Sequence, residues 1–527
     1  TLEELLEKAK EIKQNKRRET ILANKEKAII SKKLVTLKDD VPVKTKISDF
    51  YLKQINKDKL YTFLREMEFN RLLSQAIAHY GQPKAESKNT IINQEKIDRE
   101  KYITLKKLED LESWIQLAEK YGEIAVDTET SSLNPNEAEL LGISLCVKPG
   151  KACYIPLKHS LEETLDKKNV LEKLKPLLED GSVKKIGQNI KYDYIVFFRQ
   201  GIDVNPIEDT MLMSYVLDAG NHRHNMDHLS SIHLGHKTIS YKDVVGSGKK
   251  RLNFDEVSIS KATEYSAEDA DVTFRLYKIF YKKLKDEKLM NIYEIFEKPL
   301  VKLLSKMEME GIKIDKPFLE KLSKKFDLSI KSFEKKIFAI TKKEFNIGSP
   351  KQLGDMMYNE LKISALKKTR KGSFATSAVV LEDLAFKGHK LPKLVLEWRQ
   401  ISKLKNTYTD ALPEHINKKT DRVHTSFLLA ATTTGRLASS DPNLQNIPIK
   451  SEDGKEIRKA FIANSNNNLV SADYNQIEMR ILADVADVKE LKKAFNNNED
   501  IHSLTASQVF NVSLKKVDKE IRRKAKA

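Results

Sequence analysis

Between residues 123 and 200 the chain alternates short apolar runs with amphipathic segments, which restricts the folds open to it. Three strand candidates, IAVD, LLGISLCV and ACYIPL, follow one another directly. A helical segment NVLEKLKPLLED, a strand-like KKIGQN and a helical KYDYIVFFRQ come next. Consecutive strands followed by alternating helices and strands predict a mixed sheet with helices packed on it. We therefore expect an α/β fold in this region.

With 527 residues the chain is too long for one hydrophobic core, so several domains are expected. Residues 1–80 read as short basic helices, and the polar stretch 81–103 reads as a linker. The α/β pattern covers residues 104–285. Residues from about 286 to 400 are mostly helical and rich in lysine, residues 420–475 return to short strands and turns, and the stretch from Asp500 is helical.

Two acids follow the first apolar run, in EIAVDTETSS. Asp127 and Glu129 stand two residues apart on an extended segment, so both side chains project from the same face. Carboxylates that close repel each other unless a cation lies between them. Hard oxygen ligands suit Mg²⁺ or Mn²⁺. Alone, the pattern is as well explained by an exposed turn with two solvated acids.

Two further segments carry polar groups at helical spacing. In GQNIKYD, Asp193 follows Asn189 by one helical turn, so we expect the two to share a face. In EYSAEDADVT, Tyr265 and Asp269 stand at i and i+4 of a predicted helix, which places a phenol beside a carboxylate. Read singly, each could instead be a surface acid or a core aromatic with a solvated tip.

The ordered set VDTETSSL, GQNIKYD and YSAEDADVT resembles the DEDDy group of 3′→5′ exonucleases. The resemblance implies an RNase H-like fold. It also implies that Asp127, Glu129 and Asp269 hold one metal ion and that Asp127 and Asp193 hold or orient a second. Tyr265 would position the attacking water. Two divalent ions serve both ends of an in-line displacement at phosphorus, so no side-chain nucleophile is needed.

A second set of strings lies in TTTGRLASSDPNLQNIPIK and VSADYNQIEMRILA. The run LVSAD predicts an apolar strand that ends at Asp473, with Glu478 inside the helix that follows. These strings resemble the polymerase domain of the family A DNA polymerases. The resemblance implies catalytic magnesium ligation and contacts with DNA. The implied metal ligands are Asp473 and the Tyr474 carbonyl, the implied steric gate against a ribose 2′-hydroxyl is Glu478, and the implied DNA contacts are Arg436, Gln445 and Asn446.

Two more regions resemble parts of the same polymerases. DIHSLTASQVF and IRRKAKA resemble the start of the fingers, which implies that His502, Arg522 and Lys526 contact the incoming triphosphate. LEWRQISKLKNTYTDALP resembles the thumb, and the resemblance implies contacts with the phosphate backbone of duplex DNA. The residues concerned are Lys403, Lys405, Asn406 and Thr407.

Residues 1 to about 75 resemble the last helices of the 5′-nuclease domain of the same polymerases. The expected organisation is therefore 5′-nuclease helices at 1–80, a linker at 81–103, the exonuclease at 104–285 and an incomplete polymerase domain at 286–527. Within the last, the thumb covers 286–415, and partial palm and fingers follow.

We expect a DNA-directed DNA polymerase with a proofreading exonuclease that acts in DNA replication and repair. Only one of the two polymerase aspartates of the family is found, in DYNQIE, so the chain reads as a truncated form with a complete exonuclease site and an incomplete polymerase site. One alternative is a stand-alone DEDDy exonuclease acting on RNA or DNA. Another is a DNA-binding fragment without catalysis.

Charge and composition bear on partners. The net charge of +18 favours a polyanionic partner such as nucleic acid, although a lysine-rich solvated surface explains it equally well. No apolar run approaches the roughly 18 residues that span a bilayer. We expect a cytoplasmic, nucleoid-associated monomer that binds primer–template, a single-stranded 3′ end and dNTP. The two cysteines, Cys146 and Cys153, are expected to be buried thiols rather than a disulfide.

Overall fold

A computed structural model describes most of the chain. The described residues are 1–12, 14–38, 40, 42, 55–67, 69–81, 96–220, 222–248, 251–363, 374–449, 451–518, 521, 522 and 525. The chain divides into two compact units, residues 1–94 and 95–527. Most of the predicted linker lies outside the described residues. Within them, no helix is long and apolar enough to cross a membrane.

The first unit contains short helices, as its sequence predicts. They are α1 (Leu2–Glu7), α2 (Asn15–Ala23), α3 (Lys25–Val35), α4 (Lys57–Glu66) and α5 (Asn70–Tyr80). A small cluster joins α4 to α5, in which Tyr61 is fully buried and its hydroxyl donates to the Gly81 carbonyl at 2.6 Å. The unit therefore has its own apolar centre.

The second unit begins with a six-stranded mixed sheet. Its strands, in chain order, are β1 (Ile103–Thr104), β2 (Glu123–Thr130), β3 (Leu140–Lys148), β4 (Lys151–Pro156), β5 (Lys184–Gly187) and β6 (Ile207–Asp209). The spatial order is β1-β4-β3-β2-β5-β6. β2, β3 and β4 pair antiparallel, while β5 and β6 continue parallel to β2. The predicted mixed sheet is confirmed.

Helices pack against this sheet and supply much of its core. They are α6 (Leu108–Tyr121), α7 (Lys167–Glu179), α8 (Lys191–Phe198), α9 (Thr210–Asp218), α10 (Met226–His233), α11 (Tyr241–Val245) and α12 (Ile259–Asp286). α6 ends at Gly122, whose left-handed φ of 68° turns the chain into β2. α12 contains no glycine or proline and crosses β2, β3 and β4.

The two cysteines lie on the β3–β4 hairpin, as expected. Cys146 pairs in register with Ala152, and Cys153 pairs with Leu145, so the two side chains point to opposite faces of the sheet. Both are buried and free, which confirms the prediction of two thiols.

The remainder of the unit is mostly helical. Its helices are α13 (Met290–Ile292), α14 (Lys298–Glu310), α15 (Lys316–Thr341), α16 (Pro350–Gly354), α17 (Ala378–Phe386), α18 (Lys390–Leu404), α19 (Ala411–Glu414), α20 (Glu452–Arg458), α21 (Ile477–Val485), α22 (Lys489–Asn496) and α23 (Ile501–Val509). Short π-helical turns stand before α14, after α16 and after α18.

Two small sheets accompany these helices. Their strands are β7 (Ile312–Ile314), β8 (Ile416–Asn417), β9 (Arg422–Val423), β10 (Ser426–Leu428), β11 (Ala438–Ser440) and β12 (Phe461–Ile462). One sheet has the order β12-β7-β9-β8, and the other pairs β10 with β11. The predicted return to short strands and turns after the helical region is confirmed.

The predicted strand LVSAD is wrong. Residues 469–474 are irregular and exposed, and the side chain of Val470 is 89% accessible. A strand needs a neighbour to take up its backbone hydrogen bonds, and no strand of the described chain pairs with this segment. The helix expected to follow is present as α21, and it contains Glu478.

Candidate active site

The C-terminal half of β2 carries the first two acids on one face. Asp127 and Glu129 project from one face of the strand, with Asp127 opposite Ser144 and Glu129 opposite Gly142 on β3. Glu129 is buried, and Asp127 is partly open to solvent. The strand placement predicted from sequence is confirmed.

Helix α12 brings the third acid to the same point. One carboxylate oxygen from each of Asp127, Glu129 and Asp269 lies within 4.8 Å of the others. Tyr265 and Asp269 lie one turn apart on α12, with the phenol close enough to the carboxylate for each to shift the pKa of the other. In the part of the chain that the structure describes, no other set of three acidic, histidine or cysteine side chains converges this closely.

The fourth acid, Asp193, comes from the first turn of α8 and is buried. Its Oδ1 accepts hydrogen bonds from the Thr128 backbone N–H at 3.0 Å and from the Thr128 hydroxyl. The shared helical face expected for Asn189 and Asp193 is wrong. Asn189 precedes α8 with a left-handed φ of 60°, and its N–H donates to Asp209 Oδ1 at 3.0 Å.

Burial and mutual repulsion make this cluster electrostatically unfavourable by itself. Burial raises the pKa of Glu129 to about 7, with Asp193 adding to the rise. Burial also raises the pKa values of Asp127, Asp193 and Asp269 well above the usual range, and neighbouring carboxylates raise them further. No lysine or arginine of the described chain is among the groups that shift these four pKa values.

A divalent cation fits the cluster because the donors are all carboxylate oxygens that lack a basic partner. Tyr265 lies against the same acids. Its burial, with Asp269 beside it, raises the pKa of the phenol, so the hydroxyl stays protonated and can donate a hydrogen bond.

Sequence reasoning missed two hydroxyl groups that support the acids. Ser266 donates to Glu129 Oε1 at 2.6 Å and opposes the rise in the Glu129 pKa. Thr128 does the same for Asp193. In the sequence these two hydroxyl residues are marked only by their neighbours. Thr128 stands between Asp127 and Glu129, and Ser266 follows Tyr265.

A cavity of about 1140 Å³ lies close to this cluster but is not lined by its four acids. Its wall includes Asn189 and Tyr192 on one side and residues 424–433 on the other. Tyr192 also bonds to Thr130 at the end of β2. The cavity therefore begins near the end of the strand that carries the acids.

The second predicted constellation is dispersed. Asp473 and Tyr474 lie in the exposed segment before α21, and Asp473 belongs to no cluster of three potential ligands among the described residues. Arg436 is exposed and forms an ion pair with Glu478. The structure thus brings the predicted gate residue and the predicted DNA-contacting arginine together.

The predicted triphosphate contacts are only partly described. Arg522 binds both carboxylate oxygens of Asp500, at 2.6 and 3.1 Å, and holds the pKa of that acid well below its usual range. His502 lies in the first turn of α23, and its backbone N–H donates to Asp500 at 3.1 Å. Lys526 lies outside the described residues.

The predicted duplex contacts lie around the end of α18. Lys403, Asn406 and Thr407 are exposed, while Lys405 pairs with Asp410 at 2.7 Å. Further along the chain, Gln445 and Asn446, both predicted to contact DNA, lie in one exposed turn. Gln445 donates to the Leu437 carbonyl at 3.1 Å, and the Asn446 carbonyl accepts from Tyr408.

Comparison with known proteins agrees with both family resemblances. Residues 102–285 match the family model described as 3′-5′ exonuclease, and residues 316–527 match DNA polymerase family A. The segment that carries the acid cluster is therefore similar to the 3′-5′ exonuclease family, and the segment after it is similar to DNA polymerase family A.

Curated relatives that combine these regions are bacterial DNA polymerases I. The chain is 41% identical to that of Rhizobium leguminosarum over 608 residues, which cover 100% of this chain and 60% of the relative. It is 40% identical to that of Pseudomonas aeruginosa over 511 residues, covering 96% of this chain and 56% of the relative. The chain thus spans little more than half the length of these relatives.

A solved structure is also similar to the chain. It is the POL domain of Pol1 from M. smegmatis, in complex with DNA primer-template and dNTP. The TM-score is 0.68 at 27% identity, and the match covers 80% of this chain and 70% of that chain.

Proposed function

We propose that the acid cluster is a 3′→5′ exonuclease centre that removes nucleotides from a DNA 3′ end. The observation that carries the proposal is the convergence of Asp127, Glu129 and Asp269 within 4.8 Å. Asp193 lies close enough to raise the pKa of Glu129, and among the described residues no lysine or arginine pairs with Asp193.

In this proposal Asp127, Glu129 and Asp269 would hold one Mg²⁺ or Mn²⁺, while Asp127 and Asp193 would hold or orient a second. Such a pair of ions supplies an activated water and stabilises the leaving oxyanion. Tyr265, whose phenol lies beside Asp269, would position the attacking water. Thr128 and Ser266 fix the directions of the Asp193 and Glu129 carboxylates.

We further propose that residues 286–527 contribute the DNA-binding part of a family A polymerase. The exposed thumb residues Lys403, Asn406 and Thr407 would contact the duplex backbone, with Lys405 released from Asp410. The exposed turn at 445–446 and Arg436 would contact the primer–template. Net charge of +18 and the DNA in the similar solved structure support a nucleic-acid partner.

We propose that the same segment carries residues of a polymerase site. Asp473 and the Tyr474 carbonyl would be metal ligands, Glu478 the gate, and His502, Arg522 and Lys526 the triphosphate contacts. Because a two-metal site needs more than one carboxylate, we expect this polypeptide not to extend a primer. Template-directed incorporation of dNTP by the 527-residue chain would contradict that expectation.

The broader setting is proposed on the same basis. We propose that the chain divides into 5′-nuclease helices (1–80), a linker (81–103), the exonuclease (104–285), the thumb (286–415) and the palm and fingers (416–527). The parent polymerase would act in DNA replication and repair as a monomer in the bacterial cytoplasm, associated with the nucleoid.

The decisive assay compares exonuclease rates on single-stranded DNA with Mg²⁺. Asp127→Ala removes a ligand proposed to bind both ions and should lower the rate by several orders of magnitude. Glu172→Gln is the matched control, since Glu172 is a largely exposed acid on α7 of the same domain. Equal rates for wild type and Asp127→Ala would refute the assignment. Preferential cutting of RNA would favour a stand-alone ribonuclease instead.

A further inference from the structure

A tyrosine of the exonuclease region holds a turn in the segment that follows it. Tyr215 lies on α9 and is only 4% exposed. Its hydroxyl donates to the Thr432 carbonyl at 2.7 Å and accepts from the Gly435 N–H at 3.1 Å. The phenol can make both bonds because its oxygen is donor and acceptor. One side chain therefore binds both ends of the turn 432–435, which begins 217 positions further along the chain.

The Tyr215 ring is itself held in place by a neighbouring histidine. The His224 ring packs edge-on against it, with 5.5 Å between the ring centroids and 88° between the ring planes. His224 Nδ1 lies 2.9 Å from the hydroxyl of Ser214, the residue before Tyr215 on α9. The phenol therefore reaches the turn from a side chain whose own position is fixed by packing.

A second contact brings the same turn close to the end of α9. Gly220 follows that helix with a left-handed φ of 89°, and a Cβ added there would lie 2.7 Å from Thr433 Cγ2. The two chain segments thus approach each other too closely for a side chain at Gly220. The turn is therefore packed, as well as hydrogen-bonded, against the exonuclease region.

The turn leads directly into Arg436, the arginine proposed to contact the primer–template. Thr432 Oγ1 donates to the Arg436 carbonyl at 2.8 Å and accepts from the Arg436 N–H at 3.0 Å. Because Tyr215 holds Thr432 and Gly435, it also fixes the backbone of Arg436. The Arg436 side chain is 71% exposed and pairs with the equally exposed Glu478, and such surface pairs contribute little. The placement of the guanidinium therefore depends on the turn.

We propose that Tyr215 is a positioning residue for DNA binding by the polymerase-like segment. It holds the turn so that Arg436 presents its guanidinium to the primer–template before DNA arrives. A contact residue that is already ordered loses less conformational freedom on binding, which raises affinity. The role of Tyr215 rests on the proposed contact between Arg436 and the primer–template.

The test measures the dissociation constant of a primer–template duplex with the full chain, by fluorescence anisotropy. EDTA keeps the primer from being digested. Tyr215→Phe retains the ring and removes both hydrogen bonds to the turn, so duplex binding should weaken by roughly 3- to 10-fold. Tyr194→Phe is the matched control, because Tyr194 is a buried tyrosine on α8 whose hydroxyl donates to Asp203 instead. It should match wild type.

A double-mutant cycle with Arg436→Ala separates positioning from a general loss of stability. Arg436→Ala should weaken duplex binding, and Tyr215→Phe should add no further loss in that background. An additive loss would show that Tyr215 acts independently of Arg436 and would overturn the proposal. If Arg436→Ala weakens binding and Tyr215→Phe does not, the positioning role fails while the proposed DNA contact stands. No effect of Arg436→Ala would overturn both.

Amide hydrogen exchange of the wild-type chain gives a readout that does not depend on the folding of a variant. The turn should exchange more slowly than an unstructured peptide of the same sequence, because the Gly435 and Arg436 N–H groups are both hydrogen-bonded. Tyr215→Phe should speed the exchange of this turn, whereas Tyr194→Phe should not. Exchange of the wild-type turn at the rate of an unstructured peptide would overturn the proposal.

Discussion

At the acid cluster, hydroxyl groups that bind no metal determine how the carboxylates point. Thr128 donates two hydrogen bonds to one oxygen of Asp193, one from its backbone and one from its side chain. Thr128→Val keeps the shape of the side chain and removes the second bond. We expect the apparent Mg²⁺ affinity to fall by roughly 10- to 100-fold.

The measurement for Thr128→Val is the Mg²⁺ concentration that gives half the maximal exonuclease rate. Thr128→Ser, which retains the hydroxyl, is the control and should stay close to wild type. An unchanged Mg²⁺ requirement in the valine variant would show that the backbone N–H alone positions Asp193.

Sequence reasoning identified the acids of this site but not their supports. The two-residue repeat of a strand places Asp127 beside Glu129, and the i, i+4 spacing of a helix places Tyr265 beside Asp269. Both relations are local, so they could be predicted. Thr128 bonds to a residue 65 positions away, and the Asn189 N–H bonds to Asp209, 20 positions away. Neither contact has a local signal.

At the scale of elements, the site depends on close packing between β2 and its neighbours. Gly142 stands opposite Glu129 on β3, and a Cβ there would lie 2.1 Å from the hydroxyl oxygen of buried Tyr154. Gly142→Ala should therefore destabilise the protein by about 1–3 kcal/mol through overpacking. It should also slow the exonuclease, because the ring has to move beside Glu129.

Chemical denaturation and the exonuclease rate check this prediction together. Gly181→Ala is the control, since a Cβ at Gly181 meets no atom within 4 Å. If Gly142→Ala unfolds at the same denaturant concentration as wild type, Tyr154 can be displaced without cost.

Elements were predictable where their partners are part of the described chain. The β2–β3–β4 hairpins and α12 form as their patterns indicate, because each apolar face meets another. LVSAD has the same apolar character but no strand beside it, so its backbone stays irregular. Hydrophobic pattern specifies a strand only together with a neighbour to pair with.

At the scale of the molecule, a buried ion pair joins the exonuclease region to the helices that follow it. Lys191 on α8 pairs with Glu308 on α14, and Glu308 also accepts from the Phe427 N–H at 2.6 Å. Glu308→Ala leaves the Lys191 ammonium buried and unpaired, which should cost about 3–5 kcal/mol.

The free energy of unfolding from denaturant titration measures this loss. Glu310→Ala is the control on the same helix, because Glu310 is exposed and its pair with Arg422 contributes little. Replacing both partners, as Lys191→Met with Glu308→Leu, should recover most of the stability. A small effect of Glu308→Ala would mean that water reaches Lys191.

The acid cluster also links global stability to pH and metal. The pKa of Glu129 rises from 4.5 to about 7 on folding, so between those pH values the metal-free folded state binds more protons than the unfolded state. The free energy of unfolding that this difference in proton binding contributes is fully present below pH 4.5 and is lost as the pH rises through 7. With EDTA, stability should fall over this window.

Added Mg²⁺ should restore stability more at pH 8 than at pH 5, because it binds the ionised carboxylates. Thermal unfolding with EDTA or Mg²⁺ at the two pH values measures the difference. An Asp127→Asn/Glu129→Gln variant should lose most of it, and Glu172→Gln should not. An equal Mg²⁺ effect at both pH values would contradict the linkage.

The product pattern of wild-type digestion tests the exonuclease assignment most directly. Single-stranded DNA labelled at its 5′ end is incubated with the chain and Mg²⁺, and the products are resolved to single nucleotides. The account predicts a ladder shortened stepwise from the 3′ end, abolished by EDTA and absent with Asp127→Ala. Internal cuts, release of the 5′ label as a mononucleotide, or a ladder that persists without metal would contradict it.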